Sequence, residues 1–216
     1  MLGQSRDHDV IQTELLPRLM RAGMPPDDSA LPLGDLSEES APRALLAASP
    51  GFQQTLLELL EHLVLYGDAL EASGHDKQAA PSLCGRLNSW LKRIQHDARY
   101  FLDANWEERH RLRKRVKRLR YGMEFTHGAL DPARLPRLQN ALVSAQKALG
   151  QLNDLYVAAE YYRGAGAKHP SAMFALGWLA ATQEHEARAS SVALHALSQA
   201  GRFHPASAKG RSRKRG

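Results

Sequence analysis

Between Arg109 and Arg120, eight of twelve residues are Lys or Arg, a density that cannot be buried and that calls for negative charge from elsewhere. The segment is patterned as a helix. Leu112, Val116, Leu119 and Met123 recur at i, i+4, i+7 and i+11, the spacing of a face packed on a core. Successive helical residues turn by about 100°, so His110, Arg113, Lys117, Arg120 and Tyr121 fall along one stripe, with Lys114 on its flank. The predicted helix runs from Trp106 to His127, with Asn105 as its cap. Like charges at i,i+4 cost roughly a few tenths of a kcal/mol per pair, and only Glu107, Glu108 and Glu124 lie close enough in sequence to offset them. Arg offers a planar fork that matches phosphate bidentately and Lys a compact point charge, so the mixture suits a phosphorylated polyanion better than a single carboxylate. His110 adds one more donor. A Lys/Arg run on a helix is most often a solvated face, but this run is denser and better ordered than that.

The rest of the composition bounds the chain. With 216 residues, 43% of them apolar and 6% aromatic, it reads as a globular helical protein of one large or two small domains. No segment approaches the roughly 20 consecutive apolar residues of a membrane span, and the polar start lacks a secretory pattern, so the expected location is the cytoplasm. The lone Cys84 allows no intrachain disulfide and is expected to be packing; no Cys/His spacing resembles a zinc site. Neither a metal nor another cofactor is expected. Charge is unevenly spread, with a net −8 over residues 1–85, +8 over 86–121 and +6 over 122–216. Carboxylates such as Asp7 and Asp9 orienting basic side chains would explain this, and so would a merely dipolar surface.

Helical patterns recur along the whole chain. The first covers 4–22 and ends near Gly23, and 25–42 reads as a loop. Ser49 and Pro50 look like the cap and first position of a helix through Tyr66 whose broad apolar face predicts burial. A polar break over 73–82 precedes a helix over about 83–102. After the basic helix, a pattern beginning at Asp131-Pro132 reaches Tyr162, residues 164–170 form a loop, and one long helix covers 171 to about 200. No stretch alternates with period two, so the prediction is an all-α helical bundle. Residues 201–216 read as a basic disordered tail that adds nonspecific affinity for any polyanion.

An internal repeat is also present. Leu2, Gly3, Gln4, Asp7 and Val10 match Leu149, Gly150, Gln151, Asp154 and Val157 at the same offsets. The first repeat is placed at about 1–72 and the second at about 83–200. In the second, the basic helix precedes the signature by about forty residues; the first has no such helix within the chain. Taken with His110-x-x-Arg113-x-x-x-Lys117-Arg118-Leu119-Arg120-Tyr121 and Leu149-Gly150-x-Leu152-Asn153-Asp154, these features resemble the CHAD family, the conserved histidine α-helical domain, over nearly the whole chain before the tail.

The resemblance implies two related four-helix units, the first incomplete here, around a basic channel that binds inorganic polyphosphate without catalysis and can direct proteins to polyphosphate granules. By carry-over, His110, Arg113, Lys117, Arg118 and Arg120 line the channel, with Lys114 and Tyr121 beside them. Arg86, Lys92 and Arg93, together with Arg6 and Lys147 beside the two signatures, are further candidates, and Asp7 and Asp154 are expected to orient rather than bind. The absent first basic helix leaves three explanations: a native start upstream, a shortened form, or a second copy that completes the bundle as a homodimer. Apolar surface left by a missing helix favours the first or third, and an upstream domain such as a triphosphate-binding barrel is a further arrangement found in the family.

Two other functions compete. Nucleic-acid binding would use the same charge, but nothing resembles a helix-turn-helix, a stacking platform or an RNA-reading motif, so it is expected to be nonspecific. A metal-dependent phosphohydrolase is suggested only by the doublets His8-Asp9, His75-Asp76 and His96-Asp97, common by chance in a chain with ten His. No nucleophile and base stand out as a pair.

Overall fold

The structure is a computed structural model that describes residues 9–25, 48–73, 76–164 and 169–206. Arg6, Asp7, His8, His75, most of the predicted 25–42 loop and the tail beyond Ala206 lie outside those residues. A π-helical stretch Ile11–Leu15 leads into α1 (Leu16–Arg21); α2 is Pro50–Ser73, α3 Asp76–Ala98, α4 Trp106–Phe125, α5 Leu135–Gly164 and α6 Pro170–Gln199. A 3-10 turn, His127–Ala129, follows α4. Among the described residues there is no strand, only an isolated bridge between Leu130 and Pro205. The chain is all-α, as its periodicity predicts.

Two compact units result, and they are not the two sequence repeats laid end to end. One comprises residues 1–72 and 154–184, the other 73–153 and 185–216. The long helices α5 and α6 therefore each contribute to both.

In the first unit, α1 ends where Gly23, at φ +97°, lets the chain turn back. The Met24 amide donates to Leu19 O and the Gly23 amide to Met20 O, each at 3.0 Å. This closes the last turn, and the pattern brings buried Met24 beside buried Leu19. Ile11, Leu15 and Leu19 pack with Leu155, Ala158, Ala159 and Tyr162 of α5 and Ala172, Ala175 and Leu179 of α6. Arg18 covers the Trp178 ring at 5.1 Å. Tyr162 is 1% exposed and meets Tyr161 edge-on. Burial, aided by Tyr161, pushes its phenol up to about 12.

Helix α2 overturns one expectation. Ser49 does cap it, its Oγ accepting from the Phe52 amide at 3.3 Å, but the apolar side chains up to residue 60 are not buried. Phe52, Leu56, Leu57, Leu59 and Leu60 are 47–66% exposed. Periodicity identifies a face able to pack; it does not supply the surface that covers it.

In the second unit, α3 pairs with α4. It begins at Asp76, so the expected break over 73–82 is mostly helix, with Pro81 inside it. Proline there, the sixth residue of the helix, forgoes one i to i−4 amide bond. Cys84, Leu87, Leu91 and Ile94 form the buried side of α3, and burial raises the Cys84 thiol, which suppresses the reactive thiolate. On α4, Gly122 permits a close approach. A Cβ there would lie 3.0 Å from the Trp90 ring and 3.1 Å from Leu87.

The expectation of a disordered tail from residue 201 fails over residues 201–206. Residues 201–206 form a strap across the second unit. Phe203 is 4% exposed, its amide donates to Asn88 Oδ1 and its carbonyl accepts from Asn88 Nδ2, both at 2.9 Å. A single aromatic anchor and paired backbone bonds hold a segment whose composition alone reads as unstructured.

Two predictions follow from these packing contacts. Replacing Gly122 with Val should destabilise the protein by about 2 kcal/mol through overpacking against Trp90 and Leu87, measured by urea unfolding. For Tyr162, a folded-state value raised from about 10 to about 12 means stability present below pH 10 and lost as pH rises toward 12; Tyr162→Phe should flatten that loss in unfolding midpoints taken across the interval.

Candidate functional site

The basic helix begins with a capping box. Asn105 Oδ1 accepts from the Glu108 amide and Glu108 Oε2 accepts from the Asn105 amide, both at 3.0 Å, an arrangement worth about 1 kcal/mol. Leu112, Val116, Leu119 and Met123 are each at most 2% exposed, so the apolar strip expected from sequence is the anchored face. The helix ends at Phe125 rather than His127, where Thr126 Oγ1 donates to Gly122 O at 2.7 Å.

The eight cations of the run divide into two groups by what they touch. Arg109 donates to the carbonyls of Phe101 and Leu102, tying the helix to the preceding turn. Arg111 pairs with Glu108 at 3.8 Å, Arg115 with Asp97 of α3, and Arg120 Nε with Glu124 Oε1 at 2.8 Å. The Arg118 guanidinium stacks over Trp90 of α3 at 4.5 Å. The second group, Arg113, Lys114 and Lys117, makes no ion pair among the described residues.

Arg113, Lys117 and Arg120 are half-buried, while Lys114 is exposed. Tyr121, 42% exposed, lies between two cations, with Lys117 Nζ 5.7 Å and the Arg120 guanidinium 5.8 Å from its ring centre. His110 is half-buried, and its Nδ1 is 3.0 Å from Asn153 Oδ1. An amide oxygen only accepts, so Nδ1 carries the proton of this bond and Nε2 is left for a ligand or water. Trp106 lies against the same imidazole, ring centres 5.4 Å apart.

The structure therefore groups His110, Arg113, Lys117, Arg120 and Tyr121 along one side of α4 and sets Arg118 apart on the flank that meets α3. Trp90 and Asp97 contact α4, and Arg86 and Arg93 share their ridge at helical spacing, both exposed. Lys92 faces elsewhere, into a cleft of about 350 Å³ with Asn88, Gln95 and Arg202. Lys147 is exposed on α5, and Asp154 is half-buried on α5. Arg6 and Asp7 fall outside the described residues.

Sequence reasoning named Asp7 and Asp154 as orienting residues without tying either to His110; the side chain that holds His110 is Asn153, 6% exposed, which it did not nominate. The signal was present in the Asn-Asp doublet of the signature, but helical phase relative to His110 decides between the two, and that is set by packing.

A second cavity, about 420 Å³, lies where α3 ends and α4 begins. Its Asp97, Asp103 and Glu108 face Arg111 and Arg115, so its charges are mixed. Among the described residues, no group of three or more His, Cys, Asp or Glu is arranged to hold a metal ion.

No curated protein matches the chain. Among solved structures, the crystal structure of the CHAD domain from the plant Ricinus communis superposes with a TM-score of 0.59 at 27% identity, covering 94% of this chain and 70% of that one. The CHAD domain family model matches residues 1–163, a span that holds the capped basic helix, His110 and both signatures. The chain belongs to the CHAD family.

Proposed function

We propose that this chain binds inorganic polyphosphate, without catalysis, along the side of α4 that carries His110, Arg113, Lys117, Arg120 and Tyr121. The observation that carries this reading is the division of charge on α4. Cations toward α3, at the helix start and beside Glu124 have carboxylate, carbonyl or indole partners, whereas Arg113, Lys114 and Lys117 make no ion pair among the described residues, Lys117 only lying 5.7 Å from the Tyr121 ring. Their mutual repulsion is relieved when an anion arrives. From His110 to Tyr121 the helix rises about 16 Å, a length suited to a linear polyanion rather than to a single phosphate. Half-burial of Arg113 and Lys117 reduces screening by solvent and strengthens each contact. A polymer with one charge per unit and no bases needs only forks and point charges.

Family membership supports the ligand, since CHAD domains were the expectation from which polyphosphate and granule targeting came. Cytoplasmic placement at such granules, and completion of the bundle by a second copy or an upstream domain, belong to the same proposal. Among the described residues, no helix is long and apolar enough to cross a membrane.

Nucleic acid is the second reading, favoured by Tyr121, whose exposed ring between two cations could stack a base. One aromatic makes a poor platform for successive bases, so polyphosphate is preferred.

Titration with long-chain polyphosphate, in competition with DNA at equal phosphate concentration, tests both readings. Changing Arg113, Lys117 and Arg120 together to Ala should leave the helical circular dichroism intact, weaken polyphosphate binding at least about tenfold and lower the salt slope by about 2, taking roughly 0.7 per neutralised phosphate on a flexible strand. Unchanged affinity would remove the stripe from the mechanism; equal displacement by DNA would replace polyphosphate with a general polyanion.

A further inference from the structure

Two clefts open on the side of α3 turned away from α4. The lining of one, about 350 Å³, includes Ser89, Lys92, Gln95 and Arg202. The other, about 490 Å³, includes Gln95, Arg99, Ser191 and His195. Gln95 belongs to both, so they run together as one groove between α3 and the end of α6 with its strap. Lys92, Gln95 and Arg99 lie roughly 140–180° round the helix from Trp90 and Asp97, the residues that contact α4. The groove is therefore separate from the His110 stripe.

Its walls are held in place. Asn88 clasps the Phe203 peptide through both side-chain atoms, which fixes Arg202, the preceding residue, in the cleft with Lys92. Gln95 Nε2 donates to Ser198 O at 3.3 Å, tying α3 to α6 at the residue the two clefts share.

Lys92, Arg99 and Arg202 are exposed and make no ion pair among the described residues, and no carboxylate lines either cleft. The helix ends are a competing demand on this charge. Helix α3 ends at Ala98 and α6 at Gln199, and each C-terminal pole, worth about −0.5 charge, draws on the arginine that follows it. Three cations against poles of about −1 in total leave a surplus of about two positive charges, before the His195 ring adds a donor. That surplus lies beside the neutral donors of Ser89 and Gln95, a combination suited to phosphate oxygens. From Lys92 to Arg99 the helix rises about 10 Å. A single phosphate reaches one end of such a groove, whereas a short chain of them reaches both.

We propose that this groove is a second anion site, which takes an oligophosphate chain independently of the α4 stripe. Lys92 and Arg202 hold one phosphate unit, and Arg99 with His195 holds another. The chain is either a separate short molecule or a further stretch of a polymer already on the stripe, and the chemistry of recognition is the same for both.

The test uses the full chain, the stripe variant in which Arg113, Lys117 and Arg120 are changed to Ala, and a groove variant carrying Lys92→Met, Arg99→Gln and Arg202→Gln. Each is titrated with tripolyphosphate while the amide resonances of Ser89, Gln95 and Arg202 are followed. The stripe variant should still bind tripolyphosphate and shift these three amides. The groove variant should keep its helical circular dichroism, lose those shifts and weaken binding at this site about tenfold; Lys92→Met, which leaves the strap untouched, should weaken it about threefold by itself. Long-chain polyphosphate separates the two sources. Its affinity falls in the groove variant if one polymer spans both sites, and stays the same if the groove takes a separate chain. If tripolyphosphate leaves the three amides unmoved in the full chain and the stripe variant, or if the groove variant binds and shifts as the full chain does, the groove is wrong whatever the stripe does. Groove shifts that persist in a chain showing none along α4 would overturn the reading of the stripe and leave the groove standing.

Discussion

Everything on the basic helix depends on the burial of four apolar side chains. Leu112, Val116, Leu119 and Met123 are almost wholly withdrawn from water, which stabilises by about 1.5–3 kcal/mol for each side chain. Repulsion between neighbouring cations costs only a few tenths of a kcal/mol per pair, so the apolar strip outweighs it severalfold. Ion pairs on the α3 flank remove part of the remaining strain, and the Asn105 capping box fixes where the helix starts. The uncompensated charge is thereby confined to one side, on a helix that does not need to unfold to relieve it.

Sequence was most informative where one helix carries its own signals. Asn105, the apolar strip and the stripe from His110 to Tyr121 were all readable, since cap chemistry and a 3.6-residue period are local. It was less informative where a partner decides. Arg118 belongs to the same run as Arg113, yet it stacks on Trp90, and nothing in the run foretells which cations find an aromatic ring or a carboxylate on α3. Asn153 and Asp154 differ by one position and so by about 100° of helical phase, and which one reaches His110 follows from how α4 and α5 pack. The strap was missed for a related reason. Phe203 and Asn88 are 115 residues apart, and the composition of 201–206 gives no hint of their clasp.

Helix α2 shows the opposite failure. Its apolar residues satisfy every local criterion for a buried helix, yet Phe52, Leu56, Leu57, Leu59 and Leu60 remain in contact with solvent. Hydrophobic patterning records what a segment is able to pack against, so an exposed pattern marks a demand for a surface.

The missing carboxylates beside Arg113, Lys114 and Lys117 also bear on how this surface evolves. Like charges without a carboxylate partner add repulsion to the folded helix, and replacing one of them by a neutral residue eases it. In the absence of selection for an anion, mutation at these three sites is downhill for the fold. Arg115 and Arg118, by contrast, hold α4 to α3 through Asp97 and Trp90 and so contribute to the fold itself.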